Sequence, residues 1–258
     1  MATKPPLVLI HGMFCGPWHW ESFRNYFTAA GYSCHVPALR FHDLPLQDQP
    51  HPQLGQTSVR EYKEELKAFI KTLPEEPILI GHSMGGLLVQ MLLADGVGKG
   101  GVCLTPASPY GIWALTPSVV RTFWHVLTTI KFWKKAVRLT FNDAKFGMLN
   151  RLLPEEQWRV YNQLGWESGR AIFEIGLWPL DIQKTTKVDY SAVQVPILFI
   201  GARCDRVTPV FAVRRTSTKY PHAEFVELPN HAHWVLQERG WERIADQVLE
   251  WIARTFPA

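Results

Sequence analysis

Five consecutive residues, Gly81-His82-Ser83-Met84-Gly85, match G-x-S-x-G and lie between an apolar run, Pro77 to Ile80, and a helical pattern that starts at Met84. A serine on so tight a strand-to-helix bend is thrust out of the sheet, and the flanking glycines remove side chains that would collide across it. A serine hydroxyl is a weak nucleophile at its own pKa, so the chemistry needs an imidazole in hydrogen-bonding reach and an acid to hold that imidazole. A chance match in a glycine turn is the competing reading; strand, turn and helix in register weigh against it.

The acid and the base should follow the serine in the chain. Asp205 lies in Gly201-Ala202-Arg203-Cys204-Asp205-Arg206-Val207-Thr208-Pro209, directly after an apolar run and before a helix expected to be capped by Thr208 and opened by Pro209. It is the best orienting acid, against the plainer reading of a surface carboxylate paired with Arg203 or Arg206. The loop Thr105-Pro106-Ala107-Ser108 offers no carboxylate. Later, Pro229-Asn230-His231-Ala232-His233-Trp234 supplies two histidines. His233 is taken as the base and His231 as a loop residue. A metal pair of the two is disfavoured because no third ligand cluster of H-E-x-x-H character is present.

An acyl-transfer site also needs donors for the oxyanion. His11-Gly12-Met13-Phe14-Cys15-Gly16-Pro17-Trp18 follows the first apolar run, and the backbone N–H groups of Met13 and Met84 are the expected donors. His11, Gly12, Phe14, His82 and Trp234 flank these positions and are candidate substrate contacts.

The elements that must hold these residues can be read from periodicity. Leu7–Ile10, Cys34–Val36, Ile78–Ile80, Gly101–Leu104 and Ile197–Ile200 are short continuous apolar runs, as in strands buried on both faces, and Phe225–Leu228 is a sixth, more alternating one. Between them run helical patterns from Trp20 to Ala30, from a capping box at Ser58 to Glu61 onward, from Met84 to Ala94, and from Trp241 to Phe256. Alternation of this kind predicts an α/β fold with a mostly parallel sheet, helices on both faces, and a site at the carboxyl ends of the strands. From about Ala107 to Tyr190 helical patterns continue without a convincing buried strand. This predicts a core domain of residues 1–106 and 191–258 with a helical cap inserted at 107–190. The Pro-rich stretch Pro45 to Pro52 is expected to be a surface loop.

Composition narrows the class. Among 258 residues, 47% are hydrophobic and 19% charged, with a formal net charge of +4, which suits a globular chain and does not suggest a nucleic-acid partner. Cys15, Cys34, Cys103 and Cys204 are far apart without C-x-x-C spacing and are expected to be buried free thiols. The N-terminus lacks the pattern of a secretory signal, and the charge-free stretch Gly100 to Val120 is broken by prolines, so a soluble, cytoplasmic protein is expected.

With these motifs in place, the chain resembles the α/β-hydrolase superfamily: H-G before the first helix, G-H-S-M-G-G at the elbow, D-R-V-T-P after a late strand and A-H-W near the end. The form H-G-x-x-x-G-x-W is also similar to the plant methylesterase and hydroxynitrile lyase branch. The resemblance implies a Ser83, His233, Asp205 triad, oxyanion donors at Met13 and Met84, and no cofactor. Ala232 departs from the commoner glycine before the histidine. Ser83 disfavours the branches that use aspartate as nucleophile.

Trp113, Trp124 and Trp166 belong to an aromatic-rich insertion and are candidate substrate contacts, although such stripes more often pack a lid onto its domain. For Glu167 and Arg170, contact with polar groups of a substrate is weighed against a helix-surface ion pair, and the ion pair is the expectation. The leading expectation is hydrolysis of small to medium hydrophobic carboxylic esters, lactones included, through an acyl-enzyme, with a small-molecule substrate as the partner. A carbon–carbon bond hydrolase or hydroxynitrile-lyase-like enzyme using the same triad, and a ligand-binding receptor on a hydrolase scaffold, are the alternatives.

Overall fold

The computed structural model describes residues 4–43 and 49–257, so part of the expected Pro45 to Pro52 loop lies outside the described residues. The chain runs β1 (Leu7–Ile10), α1 (Glu21–Ala29), β2 (Cys34–His35), α2 (Val59–Ile70), β3 (Ile78–His82), α3 (Met84–Ala94) and β4 (Gly100–Leu104). Next, in the segment expected to be an insertion, come α4 (Pro117–Thr122), α5 (Trp124–Thr128), β5 (Ala136–Val137), α6 (Phe141–Gly147), α7 (Pro154–Tyr161), β6 (Glu167–Ser168) and α8 (Gly169–Gly176). The chain ends with β7 (Ile197–Ala202), α9 (Val210–Ser217), β8 (Ala223–Leu228) and α10 (Trp241–Thr255).

Six strands form one parallel sheet in the order β2-β1-β3-β4-β7-β8. Side chains alternate across a strand, so each apolar run serves two layers. Leu7, Leu9, Ile78, Ile80, Val102, Leu104, Leu198 and Ile200 face a cluster with Phe23 and Phe27 of α1 and Ile244, Val248 and Ile252 of α10. Val8, Ile10, Leu79, Cys103 and Phe199 face the other side, against Tyr62 and Leu66 of α2, Leu88 and Leu92 of α3 and Val213 of α9. The same cluster continues into the insertion through Phe132, Val137, Leu149 and Ile172, so the insertion shares its apolar interior with one face of the core.

Two features of this architecture position the site. First, the chain turns to β2 on one side of β1 and to β3 on the other, and Ile10 stands opposite Gly81 in the register. The loops leaving β1 and β3 therefore emerge side by side at a topological switch point, where ligands collect in such sheets. Second, the expected capping box forms: the Ser58 side chain accepts from the Arg60 amide, and Glu61 accepts from the Ser58 amide at 2.9 Å. The Ser58 hydroxyl also donates to Glu174 of α8 at 2.9 Å, and the Val59 amide donates to the same carboxylate at 2.8 Å. A carboxylate from the insertion thus meets the positive end of α2 and ties the two together.

The insertion is mainly helical, with one addition: β5 and β6 pair antiparallel as a two-residue ribbon. All four cysteines are free; Cys15 and Cys103 are buried, while Cys34 and Cys204 are partly exposed. Among the described residues no helix is long and apolar enough to cross a membrane.

Candidate active site

Between β3 and α3 there is a single residue, Ser83, with φ 55° and ψ −119°. A non-glycine residue holds such a backbone only where its surroundings fix it. Here the Ser83 amide donates to the Leu104 carbonyl at 3.0 Å, and its carbonyl accepts from Gly86 at 3.0 Å and Ala107 at 2.9 Å. The glycines are required by space: a Cβ on Gly81 would stand 2.2 Å from the Gly85 carbonyl oxygen, and one on Gly85 would stand 2.1 Å from that of Ile10. The bend presents the hydroxyl at the floor of a cavity.

His233 meets this hydroxyl from the loop after β8, its Nε2 3.1 Å from Ser83 Oγ. Its Nδ1 is 2.9 Å from Asp205 Oδ2. All three side chains are buried or nearly so. A carboxylate at Nδ1 favours the tautomer with the proton on Nδ1, which leaves Nε2 free to accept from the serine hydroxyl. Asp205 is itself fixed: Oδ1 accepts from the amides of Val207 at 2.7 Å and Thr208 at 2.8 Å, and the Thr208 hydroxyl donates to Oδ2 at 2.7 Å. The arginines beside it are engaged elsewhere, Arg203 with Glu227 and Arg206 with the Phe146 carbonyl. Thr208 was expected to cap the next helix, but Pro209 holds that position, because the Thr208 side chain is turned inward to the aspartate.

The loop carrying His233 is held from beneath. Glu238, which sequence reasoning did not single out, accepts from the amides of Ala232 at 2.9 Å and Trp234 at 3.2 Å, the two neighbours of His233. Burial, reinforced by the charge of Asp205, pushes its carboxyl up to about 7. The spacing of an acid four residues after Trp234 was the available signal. His82 donates from Nε2 to the His233 carbonyl at 2.7 Å. Burial holds the His82 ring well below the ordinary histidine range, and hence neutral. His19, also missed, packs edge-on against His82 at 4.8 Å and tilted over Trp234 at 4.3 Å.

The cavity above Ser83 has a volume of about 90 Å³. Leu115, Val119, Phe123 and Leu127 wall it on one side, and Ile172, Ile175, Leu177 and Trp178 on another. The lining residues among those described include no charged side chain. Met13 lines the cavity beside Ser83, and Met84 opens α3, where an amide has no carbonyl partner within the helix.

The remaining candidate contacts sit behind this lining. Trp113 and Trp124 are half exposed and Trp166 is absent from the wall. Phe123, which caps α5, and Leu127 on it are four apart and both face the cavity, which turns Trp124 outward. Trp113 reaches only the edge of Trp178, at 6.4 Å. His11, His82, Phe14 and Trp234 are buried supports that do not line the cavity. His11 accepts from the Leu39 amide at Nε2 and donates from Nδ1 to the Gly12 carbonyl; burial, with His42 adding to it, lowers it to about 3, so the ring is neutral. Gly12 passes so close beneath the elbow that a Cβ there would lie 2.9 Å from that of Ser83. Glu167 and Arg170 do not form a surface pair. Glu167 is wholly buried against His42 and Tyr62, and Arg170 bonds Glu174 at 2.9 Å, because β6 turns Glu167 toward the core.

A sequence model of the alpha/beta hydrolase family matches residues 7–247. The chain belongs to the alpha/beta hydrolase family. Among curated members it is similar to methylesterase 17 of Arabidopsis thaliana, 33% identical over 89 residues, 33% of this chain and 31% of that one. It is also similar to the α-hydroxynitrile lyase of the same plant, 30% identical over 93 residues, 35% and 34% of the two chains. The aligned stretch thus spans about a third of the length of these relatives. Solved alpha/beta hydrolase structures align far more completely. An extracellular α/β-hydrolase from a Paenibacillus species superimposes with a TM-score of 0.74 at 18% identity, over 96% of this chain and 98% of that one. The Arabidopsis methylesterase MES16 gives 0.72 at 17% identity, over 97% and 99%. At such identities the likeness concerns the fold.

Proposed function

We propose that this alpha/beta hydrolase cleaves carboxylic esters that carry a small to medium apolar group, through an acyl-enzyme on Ser83. The observation that carries the reading is the hydrogen-bonded chain from the Ser83 hydroxyl to His233 at 3.1 Å and from His233 to Asp205 at 2.9 Å, opening into an apolar cavity. In the first half-reaction Ser83 Oγ bonds to the ester carbonyl carbon as His233 Nε2 takes its proton. The carbonyl oxygen, now negative, is received by the amides of Met13 and Met84, and the alcohol leaves with the proton from His233. In the second, water attacks the acyl carbon as His233 takes its proton; the bond from that carbon to Ser83 Oγ then breaks, Oγ regains the proton from His233, and the carboxylic acid leaves. Asp205 keeps the imidazole oriented and stabilises its cationic form.

Curated relatives named as methylesterases support an ester substrate, while the α-hydroxynitrile lyase relative keeps the lyase alternative in view. The apolar wall from Leu115 to Leu127 and from Ile172 to Trp178 supports an uncharged substrate, because a charged group placed there would be desolvated without a partner. The test is a panel of methyl and p-nitrophenyl esters graded by acyl length, with a charged series alongside, run on the wild type and Ser83→Ala. Hydrolysis of apolar esters that vanishes in the variant is expected. Preference for charged esters, or activity that survives in Ser83→Ala, overturns the reading.

A further inference from the structure

Glu167 lies on β6 of the insertion, 153 positions after Phe14, yet the two meet beneath the site. The carboxylate is wholly buried and has partners from its own segment and three others. Oε1 accepts from the Tyr62 hydroxyl at 2.7 Å and the Ser168 amide at 2.6 Å, and Oε2 lies 3.2 Å from His42 Nε2 and 3.4 Å from the Phe14 amide. Two residues earlier, the Gly165 amide donates to the Phe14 carbonyl at 2.7 Å. The insertion therefore grips Phe14 at both of its backbone polar groups. Phe14 has φ 63°, a conformation a phenylalanine keeps only when held. The residue before it, Met13, lines the cavity beside Ser83.

We propose that Glu167 is a positioning residue, through which the 107–190 insertion fixes the Phe14 backbone and so aims the Met13 amide at the oxyanion. The claim rests on the ester-hydrolase reading for its catalytic consequence, and on geometry alone for its structural one. Oxyanion donors act only when aimed before the reaction begins. A carboxylate from the insertion makes that aim depend on how the insertion sits on the core. Loss of the grip weakens transition-state stabilisation and leaves the apolar substrate wall intact, so it lowers kcat and spares KM.

The test compares wild type, Glu167→Gln and Tyr62→Phe by three readouts: ester kinetics, the rate at which a fluorophosphonate labels Ser83, and amide hydrogen exchange at Phe14. Glu167→Gln keeps the shape and places an amide donor among groups that need an acceptor. It is expected to lower kcat and labelling about 10- to 100-fold, to leave KM within about twofold, and to speed exchange at Phe14 more than in the core strands. Tyr62→Phe removes a partner of the other oxygen and is expected to keep kcat within about threefold while reducing stability. Should Glu167→Gln fail to fold, Gly165→Pro removes the second grip with the carboxylate still present, and the same kinetic loss is expected. Unchanged kcat in a folded variant, or Phe14 exchange that rises only in step with the whole core, overturns the proposal. If wild type neither hydrolyses esters nor reacts with the probe, the ester-hydrolase reading falls, and Phe14 exchange still decides the positioning claim.

Discussion

The imidazole Nε2 of His233 lies 3.1 Å from the hydroxyl of Ser83, although 150 positions separate them in the chain. Groups that act as one unit lose nearly everything when either is removed. Ser83→Ala and His233→Ala are each expected to lower kcat on the order of a millionfold, and the double variant is expected to be no worse than either. Steady-state kinetics on an apolar ester checks this. Additive losses in the double variant would show that the two side chains act separately.

Asp205→Asn preserves shape and removes charge. The asparagine amide can donate to His233 Nδ1, which shifts the imidazole proton to Nε2, the atom that must accept from Ser83. A loss of about 10⁴-fold in kcat is expected near neutral pH, with KM little altered. A loss below tenfold would mean that the carboxylate is not what orients the ring.

Much of this geometry is legible in the sequence, and the reason lies in strand burial. Leu7–Ile10, Ile78–Ile80 and Ile197–Ile200 are apolar at every position because both faces of a parallel strand are covered, so the strand ends, and the loops bearing Ser83 and Asp205, can be placed by inspection. What cannot be read is orientation within the insertion. The aromatic residues near α5 are alike in composition, yet Phe123 faces the cavity and Trp124 faces water. A two-residue ribbon such as β5 and β6 has too few residues to show a period. Glu167 looks like an ordinary surface acid because its partners, Phe14, His42 and Tyr62, lie more than a hundred positions away.

If the proposed ester hydrolysis holds, the cavity wall limits the acyl chain. Leu127 lines it on α5, and Leu127→Trp extends a larger side chain into the space. Excluding two methylenes of an acyl chain forfeits about 1.6 kcal/mol of transfer free energy. The ratio of kcat/KM for six-carbon over two-carbon acyl esters is therefore expected to fall roughly 15-fold, with two-carbon turnover nearly unchanged. An unaltered ratio would place the acyl group elsewhere.

Glu238 makes stability depend on pH through the floor of the His233 loop. Its carboxyl, raised by burial to about 7, lies above the ordinary glutamate value of 4.5. A raised acid contributes its stability fully below the unfolded value and loses it as pH climbs through the folded one. The cost by about pH 8 is on the order of 3 kcal/mol. Urea denaturation from about pH 5 to pH 8 should show the wild type losing stability over this range and Glu238→Gln losing less. Parallel curves for the two proteins would dismiss the assignment.

His42 and Glu167 give the opposite side of the same argument. Burial works against both charges, yet the attraction between the two groups leaves His42 above its ordinary range and Glu167 below its own. The histidine contribution is complete below its unfolded value of 6.5 and is lost as pH rises through the higher folded value. The glutamate contribution is complete above its unfolded value of 4.5 and is lost as pH falls through the lower folded one. Both are therefore present at about pH 6. His42→Asn leaves the carboxylate buried without its cation and is expected to cost about 3 to 5 kcal/mol there. The difference from wild type should shrink in the alkaline range, where the native histidine has also lost its charge. Denaturant midpoints at the two pH values measure it, and a penalty that does not change with pH would mean that His42 serves by shape and not by charge.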